Sequence, residues 1–410
     1  MQRRRFLGYA LPSVAAAGSL GREAPGGGEP LGSSSGVLPP RPGPSSIREG
    51  SLVMGAISGH GHAGGHVRVL DQLPEVGKIH VCAATDLADV EKLASESSKV
   101  ATKSADLGKF LARDDLDAVT VCARPDQAPG ILEQVVSAGL PVLYDKPATT
   151  HSSHLRRVAE VAEEKGVTAG AMLQWRYNPM VMDFKRALDD GALGRVMTIE
   201  AKLLNGLVEY RDTSSYIFDP KTAGSGIMSW LGCHCLDLVL YLMQERVVEV
   251  MALVGNLNPE QIPVEDTGLL LLSFESGKMG TFQAGYHLKG SRAVYDFYVG
   301  MRGTEGYSIL PLVEPVEHGT TNAAVAGGTY TLYSEARHWV SGRRHRKTYM
   351  IPQTPGYGGI MAEELFRDFL EASRTGAPAP SPIQDNVHML EIIEAAKESS
   401  ATRRAVRIPA

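Results

Sequence analysis

The stretch that most limits how this chain can fold covers residues 52–70, read as an apolar strand, a glycine turn and the start of a helix. Leu52, Val53, Met54, Ala56 and Ile57 supply the strand. Gly59, Gly61 and Gly64 fit G-x-G-x-x-G, and Ala63, Val67 and Leu70 fall on one helical face. In such a turn the first glycine permits a tight bend, the second lets backbone approach a phosphate, and the third lets helix pack on strand. The free N–H groups of the helix then point at the anion.

The chain carries 44 glycines, so the motif needs its context. A second apolar strand at 79–84 leads to Asp86, about 20 residues beyond the last glycine, where a dinucleotide-binding sheet keeps the carboxylate that bonds the ribose hydroxyls. Leu87 follows, with no Arg or Ser beside it to meet a 2′-phosphate, so NAD is expected in preference to NADP.

At 410 residues the chain can bury two cores. A formal net charge of -5 gives no reason to expect nucleic acid. The one basic cluster (Arg343, Arg344, His345, Arg346, Lys347) reads as a solvated hairpin tip. Cys82, Cys122, Cys233 and Cys235 are too few for a disulfide framework and are expected as thiols. Cys233, His234 and Cys235 are adjacent on a helix and do not converge on an ion, so no metal is expected. No run of 18 apolar residues predicts a membrane span. Arg3, Arg4 and Arg5, then Phe6 and Leu7 and an uncharged stretch, resemble a twin-arginine export signal, which implies a periplasmic or other extracytoplasmic location. Residues 22–50, rich in Gly, Pro and Ser, read as a linker, so 1–50 lies outside the fold.

From residue 52 strands alternate with helices, which predicts an α/β, doubly wound parallel sheet of Rossmann type over 51–173. A weak strand near Val100 and a clear one at 118–122 precede a strand at 141–144 that delivers Asp145, Lys146 and Pro147. Strand ends in such a sheet open onto the ligand crevice, so Lys146 is expected beside the cofactor. Past residue 174 the alternation gives way to strands at 196–204, 247–254, 269–274, 279–286 and 294–299, with helices at 180–189, around His234, and at 362–373 and 386–399. This predicts a second, α+β domain over 174–410 built on an open, mainly antiparallel sheet. His234 and Asp237, three apart, share a helix face, so the carboxylate is expected to orient the ring of an acid/base histidine.

These residues, in this order and spacing, resemble the glucose-fructose oxidoreductase, inositol dehydrogenase and rhizopine catabolism (Gfo/Idh/MocA) family. The likeness rests on the glycine turn, on Asp145-Lys146-Pro147 where the family has Glu-Lys-Pro, and on Arg176-Tyr177-Asn178-Pro179. It also rests on Gly232, His234 and Asp237 in place of G-x-H-x-x-D, and on Glu265-Asp266 and 303–306. The resemblance implies NAD(P)-dependent oxidoreductase chemistry on a sugar, polyol or sugar derivative, and a homo-oligomer, dimer or tetramer, with contacts on the second domain's sheet. It implies Lys146 and His234 as catalytic, with Asp237. The positions expected to hold the cofactor are Gly59, Gly61, His62, Gly64, Asp86, Asp145, Lys146 and Arg176. Two departures stand out: Trp230 where many members have an Asp four residues before the histidine, and Pro129 where members commonly have a histidine. Asn205, Tyr210, Arg211 and Tyr216, with Arg176, are expected to read the substrate's other hydroxyls.

Export would favour tightly bound NAD, either passing hydride between two sugars or serving a glycosidase that oxidises, eliminates and reduces in one cycle. A non-catalytic sensor would be expected to lack Lys146 or His234, and both are present.

Overall fold

The structure, a computed structural model, describes residues 35–36, 49–58, 60–83, 87–259, 261–289, 295–313, 328–339, 343–352 and 354–409. Gly59, Asp86 and the arginine-rich leader lie outside the described residues.

Six parallel strands form the first sheet: β1 (Leu52–Ser58), β2 (Val76–Ala83), β3 (Val100–Ser104), β4 (Ala118–Cys122), β5 (Val142–Tyr144) and β6 (Ala169–Ala171). The order β3-β2-β1-β4-β5-β6 reverses between β1 and β4, the switch point at whose carboxyl ends doubly wound sheets bind their ligands. Every residue of β4 and β5 is buried, as a sheet covered on both faces requires. Helices α1 (Ala63–Gln72), α2 (Leu87–Ala94), α3 (Leu107–Leu111), α4 (Ala128–Ser137) and α5 (Ser152–Lys165) supply the cover. Pro129 falls in the first turn of α4, where a missing N–H costs nothing.

Beyond α6 (Pro179–Asp189) lies a ten-stranded sheet. Its strands are β7 (Val196–Asn205), β8 (Val247–Gly255), β9 (Thr267–Phe274), β10 (Met279–Gly285), β11 (Tyr295–Gly303), β12 (Gly306–Val313), β13 (Gly328–Ser334), β14 (Arg344–Tyr349) and β15 (Val406–Arg407), with the dipeptide Ser35–Gly36 along β14. The pairing is antiparallel except for β7 with β10 and for that dipeptide. Strands β12 and β13 were not expected from the sequence. The basic cluster also departs from expectation: it is a strand, not a hairpin tip, and the ammonium of Lys347 reaches Asp183 at 3.3 Å. The helical segment Pro220–Met243, which contains α7 (Pro220–Ala223) and α8 (Cys233–Met243), is long and apolar enough to cross a membrane, yet 83% of its most apolar window is buried in the protein. It is the core helix of the second domain, packed with α10 (Ile383–Thr402) on one face of the sheet.

Helix α9 (Gly359–Thr375) corrects the expected boundary after residue 173. Its Leu365, Phe366 and Phe369 are buried with Met54, Val67, Leu70 and Val81 in the core of the first domain, so the chain returns to that domain late. Phe366→Ala is therefore expected to cost about 3–5 kcal/mol of unfolding free energy by denaturant titration, the range for deleting a buried phenyl ring.

Candidate active site

The glycine turn leads from β1 into α1. Gly61 has φ of +73°, a conformation open to glycine, and a Cβ there would lie 3.2 Å from the Asp145 carboxylate. Helix α1 has no side-chain cap and no acidic residue in its first turn, which leaves its leading N–H groups to an anion. These features fit the pyrophosphate of a dinucleotide.

Asp145 and Lys146 follow β5, as expected. The Asp145 carboxylate accepts from His62 Nδ1 at 2.9 Å and from the Lys146 backbone N–H at 2.9 Å. Burial opposes ionisation of Asp145, but His62, through charge and hydrogen bond, and Lys146 outweigh it and hold the carboxyl well below its ordinary range. Lys146 is buried, and its ammonium donates to the Trp230 carbonyl at 2.7 Å. Trp230 lies in a π-type turn, Met228–Gly232, that runs directly into α8 and His234. The Glu265 carboxylate anchors that turn by accepting from Ser225 Oγ and, at 2.7 Å, from the Gly226 N–H. Gly226 must be glycine, because a Cβ would stand 2.0 Å from the Glu265 carbonyl oxygen. Asp266 accepts from the N–H groups of Leu257 and Asn258, so Glu265-Asp266 builds the frame.

His234 is buried, and its Nε2 lies 3.2 Å from Tyr357 Oη. Its Nδ1 is buried with no hydrogen-bond partner among the described residues. Burial first, then the charges of Lys146 and His62, lower its pKa well below the ordinary imidazole value. The ring is neutral.

Asp237 does not orient His234, contrary to expectation. Arg176 donates to it through Nε at 3.0 Å and Nη2 at 2.6 Å, and through Nη2 to Asp385 at 2.9 Å. Burial disfavours the Arg176 charge, but the two carboxylates outweigh it and push its pKa above the ordinary value. The nitrogens assigned above to cofactor or substrate contact are occupied by Asp237, Asp385 and the Pro380 carbonyl, so Arg176 pins α8 to the segment after β6. Two helix neighbours share a face, but which of them meets a partner depends on what packs opposite.

Of the loop residues, Tyr216 lies closest to the turn: its ring is 5.2 Å from His60 and 5.9 Å from Trp230. Asn205 is buried at the end of β7, and its side-chain oxygen accepts from the Leu207 N–H. Tyr210 and Arg211 are exposed.

Tyr357 was not anticipated. Its ring stacks on His62 with centroids 3.6 Å apart and planes at 12°, and its N–H donates to the Gly65 carbonyl at 3.2 Å. The local cue is the run Gly356, Tyr357, Gly358, Gly359, whose glycines have φ of +102°, +81° and +52°. His66 was also missed. It is wholly buried, its Nδ1 meets Thr120 Oγ1 at 2.7 Å, and burial lowers its pKa to about 4. His66, Cys122 and Asp145 bring donor atoms within 4.8 Å of one another. The four cysteines are free thiols, all buried.

A parallel sheet with a phosphate-type turn, joined to a second sheet domain that brings a helix-borne histidine to the buried lysine at its crevice, defines a nucleotide-dependent oxidoreductase. The chain belongs to the Gfo/Idh/MocA oxidoreductase family: residues 53–172 match its NAD-binding Rossmann fold and residues 181–308 its C-terminal domain. It is 29% identical over 262 residues to the myo-inositol dehydrogenase Hyg17 of Streptomyces leeuwenhoekii, covering 62% of this chain and 74% of that protein. It is 23% identical over 352 residues to the inositol 2-dehydrogenase of Rhizobium meliloti, covering 81% and 96%. A levoglucosan dehydrogenase solved with NADH and levoglucosan superposes with a TM-score of 0.74 at 18% identity, over 88% of this chain and all of that one.

The neutral, buried histidines carry a consequence for stability. Between the ordinary imidazole pKa of 6.5 and about 4, the unfolded chain binds a proton that His66 refuses in the folded one. Its contribution, about 3 kcal/mol, is complete above the unfolded value and is lost as pH falls toward 4; His234 adds in the same direction. Urea unfolding is expected to show stability declining steadily from pH ~7 to ~4.5, with a shallower decline for His66→Gln.

Proposed function

We propose that this chain transfers hydride between NAD and a hydroxyl or carbonyl of a sugar, polyol or sugar derivative. The observation that carries the reading is the convergence of buried Lys146 and neutral His234 at the phosphate-type turn, with the Lys146 ammonium bound to the Trp230 carbonyl in the turn that leads into the His234 helix. The dinucleotide, when bound, supplies the hydride acceptor. The chain's own residues manage the proton and the orientation. Gly61, Gly64 and the start of α1 meet the phosphates. Lys146 fixes the substrate oxygen, and neutral His234 receives the proton that the hydroxyl gives up. Trp230 and Tyr216 offer aromatic surface to a sugar ring. The relatives named for inositol and levoglucosan dehydrogenation support a polyhydroxylated substrate.

The arginine-rich leader favours an exported protein, and an exported member would keep NAD tightly bound. Lys146→Ala and His234→Ala are each expected to lower kcat by at least ~100-fold, the scale of a lost acid/base or orienting group, with NAD affinity within a few-fold of wild type. Stopped-flow nicotinamide absorbance with an inositol and sugar panel checks this, and near-normal turnover in either variant would remove the assignment.

The open face of the large sheet supports a homo-oligomer. Met251, Leu253, Leu269 and Leu271 are 51%, 52%, 44% and 57% exposed around a groove of about 670 Å³ that also reaches Glu200 and Lys202, and Met279, 61% exposed, lines the adjoining groove with Met251 and Leu271. An apolar patch with interspersed charges of both signs suits a second copy of the same face. Leu271→Glu is expected to shift the protein to monomer in sedimentation analysis; an unchanged sedimentation coefficient would place the contact elsewhere.

A further inference from the structure

The partner that His234 uses is a tyrosine, and that tyrosine comes from the far end of the chain. Asp237 is bound to Arg176, and Trp230 stands where an acid is common in the family, so among the described residues no carboxylate is hydrogen-bonded to the imidazole. The only polar contact its side chain makes among the described residues is Nε2 to Tyr357 Oη.

Tyr357 is placed with care for a loop residue. Its backbone is tied to Gly65, and a Cβ on Gly65 would stand 2.7 Å from the Tyr357 Cβ, so α1 and this loop meet only because residue 65 is glycine. Its ring lies flat on His62, which Asp145 holds. The hydroxyl therefore projects from the cofactor turn to the histidine of the second domain. Burial, helped by the Asp145 charge, raises the Tyr357 pKa well above its ordinary value, so the phenol keeps its proton, and in the tautomer of neutral His234 that carries its proton on Nδ1 the phenol donates to Nε2.

We propose that Tyr357 is a catalytic residue that carries the substrate proton to His234, an inference that rests on the oxidoreductase reading above. In the oxidative direction the substrate hydroxyl gives its proton to Tyr357 Oη while the Tyr357 proton passes to His234 Nε2. With a nicotinamide dinucleotide bound, the electron pair of the carbon–hydrogen bond would pass to it as the C–O bond becomes a carbonyl. Tyr357 ends as neutral phenol and His234 as imidazolium, so neither a buried phenolate nor an external oxidant is required.

The test pairs a variant with a measurement on the unaltered protein. Tyr357→Phe keeps the ring on His62 and removes the hydroxyl. It should lower kcat by about 100-fold, leaving substrate KM and NAD affinity within a few-fold and the thermal midpoint near wild type. On wild type, kcat measured across mixtures of light and heavy water should follow a bowed curve, the mark of two protons in flight. Turnover by Tyr357→Phe within about threefold of wild type, or a straight-line dependence on deuterium content, would overturn the relay while leaving Lys146 and His234 in place. Wild type that reduces bound or added NAD with no inositol or sugar would overturn both readings.

Discussion

The hydrogen bond from the Lys146 ammonium to the Trp230 carbonyl holds the site together, because it joins the end of a strand in one domain to the turn that launches the helix bearing His234 in the other. A buried ammonium is costly without an acceptor. The acceptor is a main-chain oxygen in a π-type turn, a place where the regular helical ladder is interrupted. Glu265 anchors the turn and Gly226 lets the backbones approach, so the residues flanking the reactive groups serve their position. Arg176 does the same from the other side of α8 through Asp237. Removing one partner of such a buried ion pair leaves the other charge stranded.

The site's electrostatics divide its groups into charged and neutral. Asp145 is held ionised by the cations around it, while His66 and His234 are kept neutral, chiefly by burial. A neutral imidazole can receive a proton, and a carboxylate that stays charged can steady His62 as a platform for Tyr357. Acid/base capacity and a fixed dipolar frame are thus assigned to different residues within one crevice.

Much of this was legible in the sequence where the chemistry is local. The strand, the glycines and α1 are contiguous, and their spacing alone orders them. Lys146 follows a strand whose carboxyl end must face the crevice, so its place could be read from the pattern. The remainder depended on long-range packing. Helical spacing put His234 and Asp237 on one face but could not show that Arg176, drawn in from the segment after β6, would claim the carboxylate. Tyr357 reaches the turn because α9 folds back onto the first domain, and no periodicity in residues 356–375 reveals which domain their apolar face joins. The exposed leucines and methionines of β8 and β9 follow from the pleat, which turns alternate residues outward.

As proposed above, the chain binds a nicotinamide dinucleotide at the glycine turn and exchanges hydride with a polyhydroxylated substrate. The most direct measurement is the nicotinamide absorbance of the full chain, recorded as purified, after adding NAD, and after each of a panel of inositols, sugars and anhydrosugars. Bound NAD, retained or taken up, is expected, with reduced-nicotinamide absorbance appearing with at least one of these compounds. A protein that neither holds nor binds the dinucleotide would contradict the proposal.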